Sequence, residues 1–80
     1  MEPTLIDNIN SRLLEIKFIP DKVYFSNDKK FVNIETLGFS NKGDEIIDAL
    51  RDLNLLPYKE VMLGDTYSRI ITKYIFFNLN

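Results

Sequence analysis

Three aspartates recur at every fourth position, Asp44, Asp48 and Asp52, and Glu45 adjoins the first of them. On an α-helix that spacing stacks side chains along one side. A row of carboxylates presented this way suits a basic groove on another protein, either the channel of a nucleic-acid enzyme or the surface of a basic toxin. The alternative is a solvated helix face. Arg51 falls roughly 90° from Asp52 around the helix, so the stripe is only partly neutralised by its own helix. A calcium loop is excluded, because it needs carboxylates at alternate positions around a central glycine.

Lysines form the second set. Lys29 and Lys30 sit in NDKKF beside Phe31, and Lys42 sits in SNKGD. Lysines at exposed turns keep a chain soluble, or they reach phosphate. A wing-and-helix mode of DNA binding would bring Asp44, Asp48 and Asp52 against phosphate, and like charge opposes that. Tyr24, Tyr67 and Tyr74 are candidates for stacking on single-stranded bases, although nothing in the sequence gathers them on one basic surface.

Bond-making chemistry is poorly supplied. With no histidine and no cysteine, general bases and nucleophiles reduce to carboxylates, Lys, Tyr, Ser and Thr. A Cys/His zinc site is impossible, and three glycines build no phosphate-cradling loop or nucleophile elbow. A pair of hydrolytic carboxylates needs a cleft that a chain of this size rarely forms. We therefore expect no enzyme, no cofactor and no metal.

The C-terminal YIFF, Tyr74 to Phe77, is the strongest interaction signal. In a strand, Tyr74 and Phe76 point to one side and Ile75 and Phe77 to the other. Two helices do not readily cover both faces of a sheet, so one pair is free to meet a partner or a second subunit, the alternative being that a helix and the chain's own N-terminus cover both sides. Tyr74 and Phe76 join Asp44, Glu45, Asp48 and Asp52 as candidate partner-binding residues.

Several elements must position these groups. Leu5, Ile6, Ile9, Leu13 and Ile16 recur at helical spacing after Pro3 and Thr4, a start that a hydroxyl can cap. Pro20 ends that helix by about Phe18. Val23 and Phe25, the turn chemistry of NDKK, and the β-rich FVNIETL predict a hairpin. SNKGD is a loop, and DEIIDALRDLNLL is a second helix with Ile46, Ile47, Leu50 and Leu53 inward and Pro57 as its limit. In the remainder, Val61 and Leu63 read as an inward pair before a Gly64-Asp65 turn. Residues 66–79 fit a strand or a helix, and their Thr, Tyr, Ile and Phe content favours the strand.

A shift of 37 residues aligns Asp7 with Asp44, Ile9 with Ile46, Leu13 with Leu50 and Pro20 with Pro57. It also aligns Lys22 with Lys59, Asp28 with Asp65, and Ile34 with Ile71. An internal α-β-β duplication, with half-repeats 4–39 and 43–79, is one reading. In it, FIP and LLP are equivalent terminators that each drop two apolar residues into the core.

The whole reads as one α+β domain spanning 1–80, in the order α-β-β-α-β-β, with two helices on one face of a mainly antiparallel sheet. A chain of 80 residues with net charge −2 lacks the basic signature of a duplex-DNA binder. It shows no signal-peptide pattern and no apolar run of membrane-spanning length. Richness in Ile, Asn, Lys and Phe with a single Ala points to an AT-rich bacterial, viral or plasmid source. The expected function is non-catalytic protein binding in the cytoplasm, as a small acidic inhibitor, immunity or anti-defence protein, with a homodimer as one possible form. The alternative is a small nucleic-acid-binding regulator using Lys29, Lys30 and Lys42.

Overall fold

The computed structural model describes residues 3–64 and 69–80. Helix α1 spans Leu5–Glu15 and opens with a capping box: the Thr4 hydroxyl accepts from the Asp7 amide, and the Asp7 carboxylate accepts from the Thr4 amide, both at 3.1 Å. Such reciprocal pairs satisfy two of the amide groups that a helix start leaves free. Lys17 closes the helix in the left-handed region at φ 59°. The Lys17 and Phe18 amides then donate to the Leu14 and Leu13 carbonyls, each at 2.9 Å. That is a Schellman ending, and it brings buried Phe18 against buried Leu13.

Helix α2, Gly43–Ala49, is shorter than its apolar spacing predicts. A 3₁₀ turn, Arg51–Leu53, follows it, and Asn54 reverses the chain at φ 56°. Pro57 therefore does not limit the helix. It lies within strand β3, Leu55–Leu63, on an edge where its missing amide is tolerated. Asn is one of the few side chains at ease in the left-handed region, and it ends the helix three residues ahead of the proline.

Strands β1, Lys22–Phe25, and β2, Phe31–Leu37, form the expected hairpin. Its turn is fixed by Asp28, whose carboxylate accepts from the Ser26 hydroxyl at 2.7 Å and the Lys30 amide at 3.0 Å. These contacts, the Ser26 bond foremost, hold the Asp28 carboxyl below the usual carboxylate range. Residues Ile71–Asn78 are strand β4, so the β-rich composition prevails over the helical spacing there. The expected turn at Gly64-Asp65 extends, with Tyr67, into residues 65–68, outside the described residues.

The sheet is antiparallel throughout, in the order β1-β2-β4-β3. Because β2 and β3 both run against β4, they are parallel to each other, and α2 joins them across the inserted β4 as a split β-α-β crossover. Both helices pack on one face. Ile9 and Leu13 of α1, Ile46 of α2 and the following Leu50 meet Val32, Ile34, Tyr74, Phe76 and Leu55 of the sheet in one core. Burying side chains of this size contributes about 1.5–3 kcal/mol each.

The two halves place Ile9 and Ile46, and Leu13 and Leu50, in the same core, and the pair Lys17 and Asn54, also 37 apart, are both left-handed helix ends. The echo of FIP and LLP follows from that shared way of stopping, but each supplies one core residue rather than two. Phe18 and Leu55 are buried, whereas Ile19 and Leu56 are exposed. The offset also fails in the last strand, where Ile34 faces the core and Ile71 lies on the opposite face. An internal duplication is not established by these correspondences.

Candidate partner interface

The sheet face away from the helices carries the candidate site. Cross-strand register sorts its side chains into four rows. The first holds Phe31, Phe77 and Leu56. The second holds Tyr24, Asn33, Ile75 and Lys59. The third, Lys22, Glu35, Lys73 and Val61, is charged over three strands. The fourth, Leu37, Ile71 and Leu63, is apolar again. Among the described residues, no helix packs on this side, because both helices belong to the core on the other face.

A single irregularity shapes the face. The pairing of β3 with β4 slips between Pro57 and Lys59, and the extra residue is Tyr58. Leu55 and Pro57 face the helices. Without the slip, Val61 and Leu63 would face them too, as strict alternation predicts. The inserted residue reverses the parity, so Glu60 and Met62 take the helix side while Val61 and Leu63 are turned outward.

Tyr58 itself joins the open face. Its ring lies 4.7 Å from Phe77 and 5.5 Å from Phe31, which are 5.0 Å from each other. The three rings tilt against one another, the arrangement their quadrupoles favour. Lys59 places its ammonium 5.2 Å from the Tyr58 ring centre, within cation–π reach. A hollow of about 190 Å³ opens between Ser26, Phe31, Asn33, Tyr58 and Ile75. At mid-sheet, Lys73 lies 5.9 Å from the Tyr24 ring centre. Hydrogen bonding to Glu35 is the largest influence on the Tyr24 phenol and pushes its pKa up, with burial adding and Lys73 opposing.

The candidates named from sequence are dispersed. Tyr74 and Phe76 are 4% and 2% exposed and belong to the helix-side core. The edge of the Phe18 ring meets Tyr74 at 6.4 Å, and burial raises the Tyr74 pKa. Their alternates, Ile75 and Phe77, are the pair turned outward. In the acidic stripe, Asp48 pairs with Arg51 at 3.1 Å and Glu45 with Lys42 at 3.9 Å. Asp52 pairs with Arg12 of α1, which holds its carboxyl below the usual range. The stripe is thus more neutralised than the helix alone predicts, since Arg12 arrives from α1 and Arg51 bonds back one turn.

Asp44 has no ion pair among the described residues. It borders a cleft of about 410 Å³, with Phe39, Glu60 and Met62 also on its walls. Lys29 and Lys30 lie at the hairpin tip beside the aromatic trio, whereas Lys42 lies at the start of α2 on the helix layer, so the three lysines do not share a surface. Among the described residues, no group of three carboxylates converges to hold a metal ion, and no helix is long and apolar enough to cross a membrane.

Sequence reasoning did not place Phe31, Leu56, Tyr58 and Leu63 together on the open face. The available signal was Pro57: a proline inside a strand pattern marks an edge or a bulge, and a bulge predicts the reversed parity beyond it. Comparison of the chain with protein-family models, with curated proteins and with solved structures finds no match.

Proposed function

We propose that this chain is a non-catalytic protein-binding module and that it binds through the open face of its sheet. The observation that carries this reading is a pair of apolar patches at the two ends of the open face, separated by a charged row, with Leu37, Leu56, Tyr58 and Leu63 at least 44% exposed. Isolated exposed apolar residues are ordinary, but patches that each join side chains of β2, β4 and β3 on one uncovered face mark an association surface. Its aromatic trio, at one end of the face, is of the kind enriched in interfaces, and the charged row of Lys22, Glu35 and Lys73 crosses the middle. The small size, the −2 charge and the lack of histidine and cysteine fit an inhibitor, immunity or anti-defence protein that works by occupying a surface.

The test is capture from a native host lysate, read by mass spectrometry, with the Leu56→Glu/Tyr58→Glu double variant beside the wild type. Both positions are about half exposed, so the circular dichroism spectrum should remain that of the folded chain. A prey held by the wild type and lost by the variant supports the reading. Equal capture by a folded variant removes the open face from consideration. Reversal of Asp44 and Asp48 to Lys should leave that capture unchanged.

A second reading, nucleic-acid binding, is favoured by one observation: Lys29 and Lys30 directly precede Phe31, at the edge of the aromatic trio. Aromatic platforms beside lysines hold single strands by stacking and phosphate contact. It requires an oligonucleotide complex at low ionic strength that weakens with salt and is lost in Lys29→Glu/Lys30→Glu. No complex at low salt excludes it.

A further inference from the structure

Resting on the protein-binding reading of the open face, we infer that the partner covering it is a second copy of this chain, packed sheet on sheet about a two-fold axis parallel to the strands and between β2 and β4. Size, shape and charge each support this.

The first argument is size. Strand spacing and rise give the face itself a footprint of about 20 by 25 Å, which a second sheet of the same size matches.

The second argument is self-complementarity. A two-fold axis along the strands turns the sheet over while keeping each row at its own level, and it lays β2 over the partner's β4. The register within the chain pairs Phe31 with Phe77, Asn33 with Ile75, Glu35 with Lys73 and Leu37 with Ile71. The same four pairings therefore recur between subunits. Aromatic faces aromatic, aliphatic faces aliphatic, and Glu35 faces the partner's Lys73 twice. Aligned sheets packed ~10 Å apart accept this arrangement with their usual offset of about 30°. The other in-plane axis, across the strands, sets Glu35 on the partner's Asn33 and Lys73 on the partner's Ile75, so neither charge meets its opposite across the interface. That arrangement is disfavoured.

The third argument concerns the charges themselves. Glu35 and Lys73 are direct cross-strand neighbours, yet among the described residues they form no ion pair; the three present are Arg12 with Asp52, Lys42 with Glu45, and Arg51 with Asp48. Lys73 leans over Tyr24 instead. Both charges stand at mid-sheet, where the axis brings each to its opposite across the interface. In the resulting four-layer α/β/β/α dimer the helices of both copies lie outside.

The test is mass in solution by sedimentation equilibrium and light scattering, using the full chain near 100 μM, a concentration on the order of that needed to populate micromolar dimers. The wild type should weigh two chains. Glu35→Lys alone creates two facing lysine pairs and Lys73→Glu alone two facing carboxylate pairs, so each should dissociate at least ~10-fold more readily. An equimolar mixture of the two single variants should recover a dimer, because every contact across the axis is then between opposite charges. The double variant Glu35→Lys/Lys73→Glu should recover one by itself. A monomeric wild type, or a dimer indifferent to either reversal, overturns the inference. A monomer that still loses prey through Leu56→Glu/Tyr58→Glu overturns the self-association alone and leaves the binding reading standing. A monomer that binds an oligonucleotide through Lys29 and Lys30 overturns both.

Discussion

Thr72 is fully buried, and its hydroxyl holds together the loop that launches α2. It donates to the Gly38 carbonyl at 2.8 Å and accepts from the Ser40 amide at 3.1 Å. Thr72→Val keeps the shape and removes both bonds. Leaving one buried polar group without its partner costs about 1–3 kcal/mol. Gly38 and Ser40 are each only half-buried, so water can reach them and the low end applies, for a sum of about 2 kcal/mol. At ~4–8 °C per kcal/mol for a domain of this length, the midpoint of thermal unfolding should fall by roughly 8–16 °C. Thr72→Ser keeps the hydroxyl and gives up one methyl, at about 1 kcal/mol. Thermal and urea unfolding followed by circular dichroism should therefore rank the three as Thr, then Ser, then Val. A Val variant as stable as the wild type, or more stable than Ser, refutes the assignment of this loop's anchorage to the hydroxyl. Tyr74→Phe removes the neighbouring bond, in which the Tyr74 hydroxyl donates to Ser40 Oγ at 2.6 Å. Both residues hold Ser40, so the double variant should depart from additivity by at least ~0.5 kcal/mol.

Lys17 occupies the left-handed region at φ 59°, so Lys17→Gly should raise stability by about 1 kcal/mol, seen as a higher urea midpoint at unchanged slope. Gly64 has φ 146°, and a Cβ there would run into the Arg69 carbonyl; Gly64→Ala should destabilise by about 2 kcal/mol or more in the same assay. The folded-state pKa of Asp52 is depressed, chiefly by its hydrogen bond with Arg12. The stabilisation from this pair is therefore present above the ordinary carboxylate pKa and is lost as pH falls through the folded value. Arg12→Ala should be less stable than the wild type at neutral pH, with the gap closing below about pH 4. Added salt should narrow it as well, because both side chains are exposed.

The elements that local chemistry dictates were legible in the sequence. Thr4 caps a helix, NDKK is a turn, and the β-branched and aromatic run from Ile71 is a strand. Their interactions lie within a few residues, so a window along the chain contains the cause. Other features depend on distant groups. Arg12 neutralises Asp52 from 40 positions away, which no helix-face argument includes. Asn54 ends α2 early because Leu55 has a place waiting in the core beneath the helices. The partner-binding assignment of Tyr74 and Phe76 chose between two faces of one strand, and only the position of the helices settles that choice.

One residue connects fold and surface more than any other. An unbroken β3 would turn Leu55, Pro57, Lys59, Val61 and Leu63 toward the helices and Leu56, Tyr58, Glu60 and Met62 outward, setting the Lys59 charge on the core side and making a second hydrophobic row compete for two short helices. By bulging at Tyr58, the chain keeps Leu55 in the core, sends Lys59, Val61 and Leu63 outward, and leaves the Tyr58 ring against Phe31 and Phe77. A bulge on an edge strand also twists that edge and interrupts its ladder, which discourages strand-by-strand polymerisation. In the proposed dimer, association is thereby directed from the edge of the sheet to its face.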